Sequence, residues 1–367
     1  MLPREVISVG SLILRPPSRD DLGAIVRASS DAETARFLYL LPVPYTSKDA
    51  ESYLESAERR WAEGGAEFSV VDAATGRYLG AVGLRDTGRH GAHEIGYRVA
   101  EWARGRGVAT AATRAVSEWA FDKGVRRIEL RAEVENLASL RVAYAAGYLQ
   151  EGIERERRRT RDGRPADFVS FARLAADPGE AVPRYLPLLD AEGLSDGVVR
   201  LAPVTLADAP DFHRLLSAPS ITRWMMAPPS TIESTERRCR YTGYWWLSGQ
   251  RVELAVRDAA TDAFAGHIQL AQIAPLIDQA MLGYSLLPAF RGKGFMSRAV
   301  RLLVDWAFAN TALHRIVAGT DVTNEASQMV LERAGFSREA VHRELFPRPD
   351  GTRGDDVEWL LLRPQEG

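Results

Sequence analysis

One stretch of sequence occurs twice in this chain, and it constrains the fold more than any other feature. Residues 94–121 and 281–308 each read as a short apolar strand, a basic turn with two glycines, and an amphipathic helix. The turns are Arg104-Gly105-Arg106-Gly107 and Arg291-Gly292-Lys293-Gly294. Backbone N–H groups at the start of a helix carry partial positive charge, and glycines let a ligand come close to the backbone. Each copy is therefore suited to hold a phosphate group.

The repeat extends beyond this stretch, which indicates a tandem duplication. Arg104 corresponds to Arg291, and Gly147, which closes a later helix, corresponds to Gly335. A nearly constant offset over so long a stretch indicates duplicated domains rather than a solenoid. A chain of 367 residues is also longer than one hydrophobic core usually becomes. We predict a first domain at 1–178, a linker at 179–195 and a second domain at 196–367.

Hydrophobic periodicity predicts the same order of elements in both halves. It is an opening strand, helices, a strand pair, the strand–turn–helix unit, a strand, a helix and a final hairpin. In the first half we expect strands at 9–15, 67–72, 78–84, 94–99 and 127–133, helices at 47–62 and 136–145, and a turn at 161–164. In the second half we expect strands at 198–203, 253–256, 265–271, 281–286 and 315–318, a helix at 324–334, and a turn at 349–351.

The composition excludes several classes of protein. A formal net charge of -2 gives no basis for a broad nucleic-acid interface, so we expect no nucleic-acid partner. The single cysteine, Cys239, excludes an intrachain disulfide and a cysteine zinc cluster, and we expect no metal. The first residues lack the apolar core of a signal peptide, and no stretch approaches the roughly 20 apolar residues of a membrane span. We therefore expect a cytoplasmic protein without a membrane partner.

A second shared motif follows the turn in each half. It is Asn-x-x-Ser on a helix that ends in glycine and an aromatic residue, at Asn136 and Ser139 and again at Asn324 and Ser327. With these motifs, each half resembles the N-acetyltransferases of the GNAT superfamily, in particular the RimJ/RimL-like branch that acetylates ribosomal-protein N-termini. The turn of that family reads Gln/Arg-x-x-Gly-x-Gly/Ala. Residues 104–109 fit this pattern, and residues 291–296 depart from it only at Met296.

The resemblance implies an α/β (α+β) fold class with two tandem GNAT domains. Each domain would have a mixed, mostly antiparallel sheet with a splayed central parallel strand pair, flanked by helices. The splayed pairs would be residues 94–99 with 127–133, and 281–286 with 315–320. We expect either a monomer with an internal pseudo-dimer or a homodimer.

The resemblance also implies acetyl-CoA as the cofactor, released as CoA. Its pyrophosphate would bind the turn and the first residues of the next helix. These are Arg104, Gly105, Arg106, Gly107, Val108 and Ala109 in the first half, and Arg291, Gly292, Lys293, Gly294, Phe295 and Met296 in the second. Asn136 and Asn324 would bind the pantetheine arm. A backbone amide near Arg98 and Val99, or near Leu286, would polarise the thioester carbonyl.

Acetyl transfer to an amine requires that the ammonium lose a proton and that the leaving thiolate gain one. The resemblance places Ser139 and Ser327 near the sulfur, as acids or as donors that position it. The tyrosine that serves as acid elsewhere in the family corresponds here to Ala143 and Leu331. The alternative, that both serines lie idle on a helix surface, stays open.

For the base we expect Glu94, which begins the strand beside the cleft. Its counterpart is Met281, which has no acid–base chemistry. Glu133 and Asp321, at the ends of the next strands, are second choices, and we interpret His267 as structural. The halves thus differ in proton-transfer groups, and one of them could have only a binding or supporting role.

The acceptor is expected to be a primary amine, either a peptide or protein N-terminus or a small amine such as an antibiotic or an amino sugar. Residues 224–226 and 244–246 could line an acceptor pocket over the second cleft or pack in the core. A different class of function is an acyl-CoA-binding regulatory or structural module in which one or both domains are inactive. Sequence comparison between the halves does not decide between these alternatives.

Overall fold

The computed structural model of the chain describes residues 2–89, 91–189, 192–225, 230–348 and 351–365. By its internal contacts the chain forms two compact units, Met1–Pro183 and Arg184–Gly367. The point of division lies inside the 179–195 segment. Residues 349 and 350 of the expected hairpin turn, and Met226 of the expected pocket segment, lie outside the described residues.

The first unit alternates short helices with the strands of one eight-stranded sheet, in the spatial order β1-β2-β3-β4-β5-β6-β8-β7. Its elements are β1 Ile7–Val9, β2 Leu12–Arg15, α1 Leu22–Ser29, α2 Ala32–Phe37, α3 Ser47–Ala62, β3 Ala66–Asp72, β4 Tyr78–Arg89, β5 Ala92–Val99, α4 Val108–Asp122, β6 Arg127–Glu133, α5 Leu137–Ala145, β7 Leu149–Arg159 and β8 Pro165–Leu174.

The second unit repeats this topology, in the order β9-β10-β11-β12-β13-β14-β16-β15. Its elements are β9 Leu194–Ser195, β10 Val199–Pro203, α6 Ala209–Leu216, α7 Pro219–Thr222, α8 Ile232–Leu247, β11 Val252–Asp258, β12 Phe264–Ala274, β13 Gln279–Leu286, α9 Phe295–Asn310, β14 Arg315–Asp321, α10 Glu325–Arg333, β15 Ser337–Pro347 and β16 Arg353–Leu362.

One parallel strand pair lies in the middle of each sheet, and its strands part early. Strands β5 and β6 pair from Ala92 to Glu94, and strands β13 and β14 pair from Gln279 to Met281. The other neighbouring strands pair antiparallel. The expected fold class is therefore confirmed: an α/β (α+β) fold with two mixed, mostly antiparallel sheets, each with a splayed central pair.

The helices that follow the basic turns pack their apolar faces on the sheets. In the first unit, Trp119 of α4 makes edge contacts with Trp61 and Phe68, at ring-centre distances of 6.2 and 5.3 Å. In the second unit, Trp306 of α9 makes the same kind of contact with Trp246, at 6.0 Å. Edge-to-face packing of this kind fixes the orientation of a helix as well as burying area. It fixes the C-terminal part of each helix within its unit.

Some element bounds differ from the expectation. The single strand expected at 9–15 is two strands, β1 and β2, because Gly10 adopts a left-handed conformation (φ 54°) and reverses the chain. The short helices α2 and α7 were not expected from periodicity. Each has only one or two turns, too short for a hydrophobic repeat to show. Among the described residues no helix is both long and apolar enough to cross a membrane.

Gly80 of β4 and Gly266 of β12 stand at matching points, where the neighbouring strand ends its splayed course. Gly80 pairs with Val99, and Gly266 pairs with Leu286. A Cβ atom at Gly80 would clash with the carbonyl oxygen of Arg98, and one at Gly266 with that of Ser285. Glycine is therefore required here because the backbones approach closely, although neither φ is unusual.

We expect Gly80→Ala or Gly266→Ala to lower the free energy of unfolding by about 1–3 kcal/mol, because the new methyl group must push two strands apart. Urea unfolding of the full chain measures the change. Gly23→Ala is the matched control: Gly23 lies in helix α1 with open space around its Cβ position. There alanine should stabilise the helix by up to about 1 kcal/mol. Equal stability of all three variants would contradict the close-approach argument.

Candidate active site

Each basic turn ends in a glycine that caps the following helix. Gly107 and Gly294 are the N-caps of α4 and α9, with φ of 74° and 77°. Gly105 and Gly292 also have positive φ, at 71° and 74°. Among the described residues, no atom beyond the adjacent residues in the chain lies within 4 Å of a Cβ placed on any of these four glycines, so the space in front of the turn is open. The first amides of each helix, which have no partner inside the helix, therefore face a region that an anion can enter.

The residues that begin these helices present their backbone rather than their side chains. Val108, Phe295 and Met296 are buried at 6%, 6% and 4% exposure, and Ala109 is half-buried. Met296 thus places its side chain in the core and leaves its amide in the position where the family pattern has a small residue. This explains physically how methionine is accommodated there.

The first arginine of each turn fastens the turn to a neighbouring helix. Arg104 donates to the Asp31 carboxylate and, at 2.9 Å, to Thr34 Oγ1. This bond to Arg104 holds the pKa of Asp31 below its usual range, although partial burial opposes the shift. Arg291 donates to Ser220 Oγ at 3.0 Å and to the Leu286 carbonyl at 3.2 Å. The two arginines therefore have defined structural bonds.

The second basic residue of each turn is exposed to solvent, as the first is, but it does not fasten the turn to a neighbouring helix. Arg106 and Lys293 are both exposed, and the Lys293 ammonium lies 5.8 Å from the centre of the Phe290 ring. A long side chain on an exposed turn can move to meet a phosphate. The positive charge available to an incoming anion is therefore that of Arg106 and Lys293.

The two asparagines cap the helices that carry the serines. The Asn136 Oδ1 accepts from the Ser139 amide at 3.0 Å, and the Asn324 Oδ1 accepts from the Ser327 amide at 3.3 Å. An N-cap uses only the side-chain oxygen. The NH₂ group of each asparagine is thus kept in place as a donor at the opening between the splayed strands.

In each unit a tyrosine on the splayed strand contacts the serine of the Asn-x-x-Ser motif. The sequence alone did not predict this contact. Tyr97 Oη lies 2.7 Å from Ser139 Oγ and donates to the Ser139 carbonyl at 3.2 Å. Tyr284 Oη lies 2.9 Å from Ser327 Oγ and donates to the Ser327 carbonyl at 3.0 Å. Burial raises the pKa of both tyrosines above the usual value. The signal was visible as a Gly-Tyr pair in both copies of the repeat.

The expected base of the first unit, Glu94, is held in two ion pairs. Its carboxylate meets Arg85 across strands β4 and β5, and Arg131 at 3.6 Å. It lines a cavity of about 320 Å³ together with residues such as Tyr53, Glu67 and Arg98. Proton transfer to Glu94 would have to compete with both ion pairs.

The second-choice carboxylate of this unit, Glu133, is also engaged. It accepts a hydrogen bond from the Tyr39 hydroxyl and lies 3.5 Å from Arg164. Burial raises its pKa, while Tyr39 and Arg164 oppose the shift.

Arg161, in the turn between β7 and β8, donates to the carbonyl groups of residues 35, 38 and 41. These bonds fasten the segment after α2 over the end of β6.

His267, which we interpreted as structural, lies beside a buried carboxylate of the second unit. His267 Nε2 lies 3.5 Å from the Glu253 carboxylate, and its ring lies 4.7 Å from the Phe212 ring. Burial lowers the pKa of His267. Glu253 is in turn bound by Arg238 at 2.9 Å and by Arg251 at 3.2 Å. His267 is therefore buried beside Glu253 inside the unit, and it is not among the residues that line the large cavity described next.

The second unit contains a cavity of about 890 Å³ that is lined by the expected cofactor-binding residues of that half except Lys293. It runs from the basic turn along the splayed strand to helix α10. The residues that line it include Met281, Gly283, Tyr284, Leu286, Arg291, Gly292, Gly294, Phe295, Met296, Asn324 and Ser327, together with Trp224, Met225 and Phe346. Trp224 and Met225 thus face this cavity, which favours the pocket interpretation of their segment.

Two carboxyl groups at the end of β14 and β16 also line this cavity, and they differ in their surroundings. Asp321 accepts from the amide and hydroxyl of Thr323 at 2.8 and 2.6 Å and from Arg348 at 2.7 Å. Burial acts to raise the pKa of Asp321, but these hydrogen bonds outweigh it and hold the pKa below its usual range. Asp356, its register partner on β16, is 3% exposed. Burial raises the pKa of Asp356 to about 6.

We expect Tyr97→Phe and Tyr284→Phe each to lower the free energy of unfolding by about 1 kcal/mol, because each removes a buried hydrogen bond between a splayed strand and a helix. Urea unfolding of single and double variants measures it. The double variant Tyr284→Phe/Ser327→Ala should lose less free energy of unfolding than the two single variants lose in sum, because both changes remove the same hydrogen bond. Strict additivity would show that the two hydroxyl groups are not coupled.

Comparison with known proteins agrees with this geometry. Residues 11–149 and 199–337 each match the family model described as acetyltransferase (GNAT) domain. The chain is 45% identical over 137 residues to the probable N-acetyltransferase YjcK of Bacillus subtilis (strain 168), a match that covers 37% of this chain and 75% of that protein. It is 34% identical over 102 residues to the putative ribosomal N-acetyltransferase YdaF of the same organism, covering 28% of this chain and 55% of that protein.

Among solved structures, the chain is similar to the spermidine N-acetyltransferase of Vibrio cholerae in complex with CoA and spermine. The identity is 21% and the TM-score 0.42, over 46% of this chain and 97% of that one. The family model covers most of this chain, once in each unit. The chain therefore belongs to the GNAT acetyltransferase family and carries its domain twice.

Proposed function

We propose that this chain is an acetyl-CoA-dependent N-acetyltransferase that transfers acetyl directly to a primary amine, and that its second unit performs the transfer. The observation that carries this proposal is the 890 Å³ cavity, which joins the basic turn, the splayed strand and the Asn324–Ser327 cap in one space. A site for a cofactor of this length needs such continuity, because its phosphates and its thioester bind far apart.

The residues present fit acetyl-CoA. The turn offers open space and free helix amides for a pyrophosphate, at Gly292, Gly294 and the first residues of α9. Beyond Met281 the parting of β13 from β14 leaves strand edges that can hydrogen-bond an amide-containing arm. The same features occur in the first unit around Gly107 and β5. When bound, acetyl-CoA supplies the acetyl thioester.

The protein groups nearest to the chemistry in the second unit are Ser327 and Tyr284. Their hydroxyl groups lie 2.9 Å apart, and the Asn324 cap fixes the serine backbone. We assign Ser327, held by Tyr284, as the donor to the leaving sulfur, and the amide near Leu286 as a donor to the carbonyl oxygen. Ser139 with Tyr97, and the amide near Val99, are the matching groups of the first unit.

The first unit fits a binding or supporting role better. Glu94 is held by two arginines, and Glu133 is held by Tyr39 and Arg164. We infer that this unit binds acyl-CoA through its turn without rapid turnover. This retains, for one unit only, the alternative of an acyl-CoA-binding module.

The acceptor is a primary amine, and two classes remain candidates. The match to a relative named as a putative ribosomal N-acetyltransferase supports a peptide or protein N-terminus. The apolar wall formed by Trp224, Met225 and Phe346 would also suit a small amine with an apolar body. We propose a cytoplasmic setting, where acetyl-CoA is available.

Calorimetric titration with acetyl-CoA tests the cofactor sites. We expect two sites per chain, of which Gly294→Glu removes one and Gly107→Glu the other, because each glutamate puts bulk and negative charge in front of helix amides. Only Gly294→Glu should abolish acetyl transfer. Asparagine at the same positions is the control, because it tolerates positive φ without adding charge and should weaken binding less. Transfer that is lost with Gly107→Glu and kept with Gly294→Glu would reverse the assignment of the units.

Serine variants test the chemistry separately from binding. We expect Ser327→Ala to lower kcat by about 10-fold or more, because a positioned proton donor typically raises the rate by about 10²-fold or more. Ser139→Ala should change kcat less than about 2-fold. Steady-state rates with a panel of primary amines measure both. Equal losses in the two variants would mean that both units transfer acetyl groups.

A further inference from the structure

We propose that Asp356 is the general base of the second unit: its carboxylate accepts the proton that the acceptor ammonium must lose. This inference rests on the proposed function, because it assigns a group to the amine side of the same cavity. No carboxylate was expected at this position, since its counterpart in the first half is Phe168. The position became visible only through the pairing of β16 with β14.

The placement of Asp356 is unusual for a carboxyl group. It is 3% exposed, it lines the 890 Å³ cavity, and its Oδ1 has no hydrogen-bond partner among the described residues. A buried polar atom without a partner costs free energy, so it is rarely retained unless a ligand or a reaction uses it. An amine that enters the cavity would supply the missing donor.

Gly319 of β14 provides the room for this carboxyl group. A Cβ atom at Gly319 would lie 2.9 Å from Asp356 Oδ2 and 3.1 Å from Oδ1, so any side chain there would have to displace the carboxylate. The matching position in the first unit is Arg131, which forms ion pairs with Glu94, Glu129 and Glu154. Among the described residues, the second unit thus has a carboxyl group without an ion-pair partner beside a glycine, where the first unit has a paired guanidinium.

The charged groups that face Asp356 come from three strands and the turn beside them. Asp321 lies opposite on β14, Glu358 lies two residues along β16, and His342 is its register partner on β15. The Arg348 guanidinium is used by Asp321, at 2.7 Å, and His342 is used by Glu358, at 2.5 Å. Burial raises the pKa of Asp356 to about 6; Glu358 and Asp321 add to the shift, and His342 opposes it.

The two neighbouring carboxylates are less suited to the role. Asp321 already accepts hydrogen bonds from Thr323 and Arg348 that stabilise its charged form. Glu358 is more exposed and is bound by His342. Asp356 is the carboxyl group of this set that can exchange a proton without breaking an ion pair.

The step balances as follows. The Asp356 carboxylate takes one proton from the acceptor R–NH₃⁺, which leaves R–NH₂ with a free electron pair. That pair forms the N–C bond to the acetyl carbon while the C–S bond breaks. Ser327 donates its hydroxyl proton to the leaving thiolate, which gives the thiol, and recovers a proton from the acetylated nitrogen. Asp356 then releases its proton to solvent.

The test is the pH profile of kcat/KM for the full-length wild type, Asp356→Asn and the matched control Glu358→Gln, with an alanine-initiated peptide and benzylamine as acceptors. In the wild type the rate should rise through about pH 6, where Asp356 ionises. Asp356→Asn should lose about 100-fold or more at neutral pH, the usual contribution of a general base. With the peptide, its rate should recover towards about pH 8, where an α-amine deprotonates by itself. Glu358→Gln should keep the limb and a rate near that of the wild type, with the limb moved to lower pH because Glu358 contributes to the raised pKa of Asp356.

The outcomes separate this inference from the proposed function. A wild type that acetylates neither acceptor contradicts the proposed function and the inference together. A wild type that is active while Asp356→Asn keeps both its rate and its profile overturns the inference alone. If the limb near pH 6 disappears in Glu358→Gln instead, the base is Glu358. If Asp356→Asn fails to bind acetyl-CoA, the test uses Asp356→Glu, which keeps a carboxyl group. We expect Asp356→Glu to show the rise of kcat/KM near pH 6 at a reduced rate. Absence of this rise in Asp356→Glu overturns the assignment.

Discussion

The feature on which the rest of each unit depends is the early parting of one parallel strand pair. Strands β5 and β6, and likewise β13 and β14, share only three register pairs before they separate. Backbone groups that lose a strand partner in the interior of a protein must find another one. The parting therefore creates both a need for hydrogen-bond partners and a space in which a ligand can supply them.

Two pairs of residues fix the position of the splayed strand in each unit. Tyr97 and Tyr284 connect the splayed strand to the serine helix that follows its former partner, so the parted strands remain linked. On the other side, Gly80 and Gly266 let the adjacent strand follow the splayed strand closely. Both pairs occur at matching positions, so they belong to the common scaffold rather than to the chemistry of one unit.

The sequence was sufficient to predict this scaffold but not the chemistry built on it. The duplication, the basic turns at Arg104 and Arg291, and the Asn-x-x-Ser caps are local patterns, and local patterns are readable from one sequence. The Tyr284–Ser327 and Asp321–Asp356 pairs join residues far apart in the chain, and no periodicity reports on them. Asp356 has no counterpart in the first half, where Phe168 stands, so the repeat does not point to it.

The two units show how one scaffold can lose and gain a base by a few substitutions. In the first, Arg131 forms ion pairs with Glu94 and with two further carboxylates. In the second, glycine takes the arginine position, so the cation is absent where Asp356 lies. Burial then outweighs the opposing effect of His342 and raises the pKa of Asp356 to about 6. A base is most effective when its pKa lies near the working pH, so removing a cation from this strand does more for proton transfer than adding a carboxylate beside one.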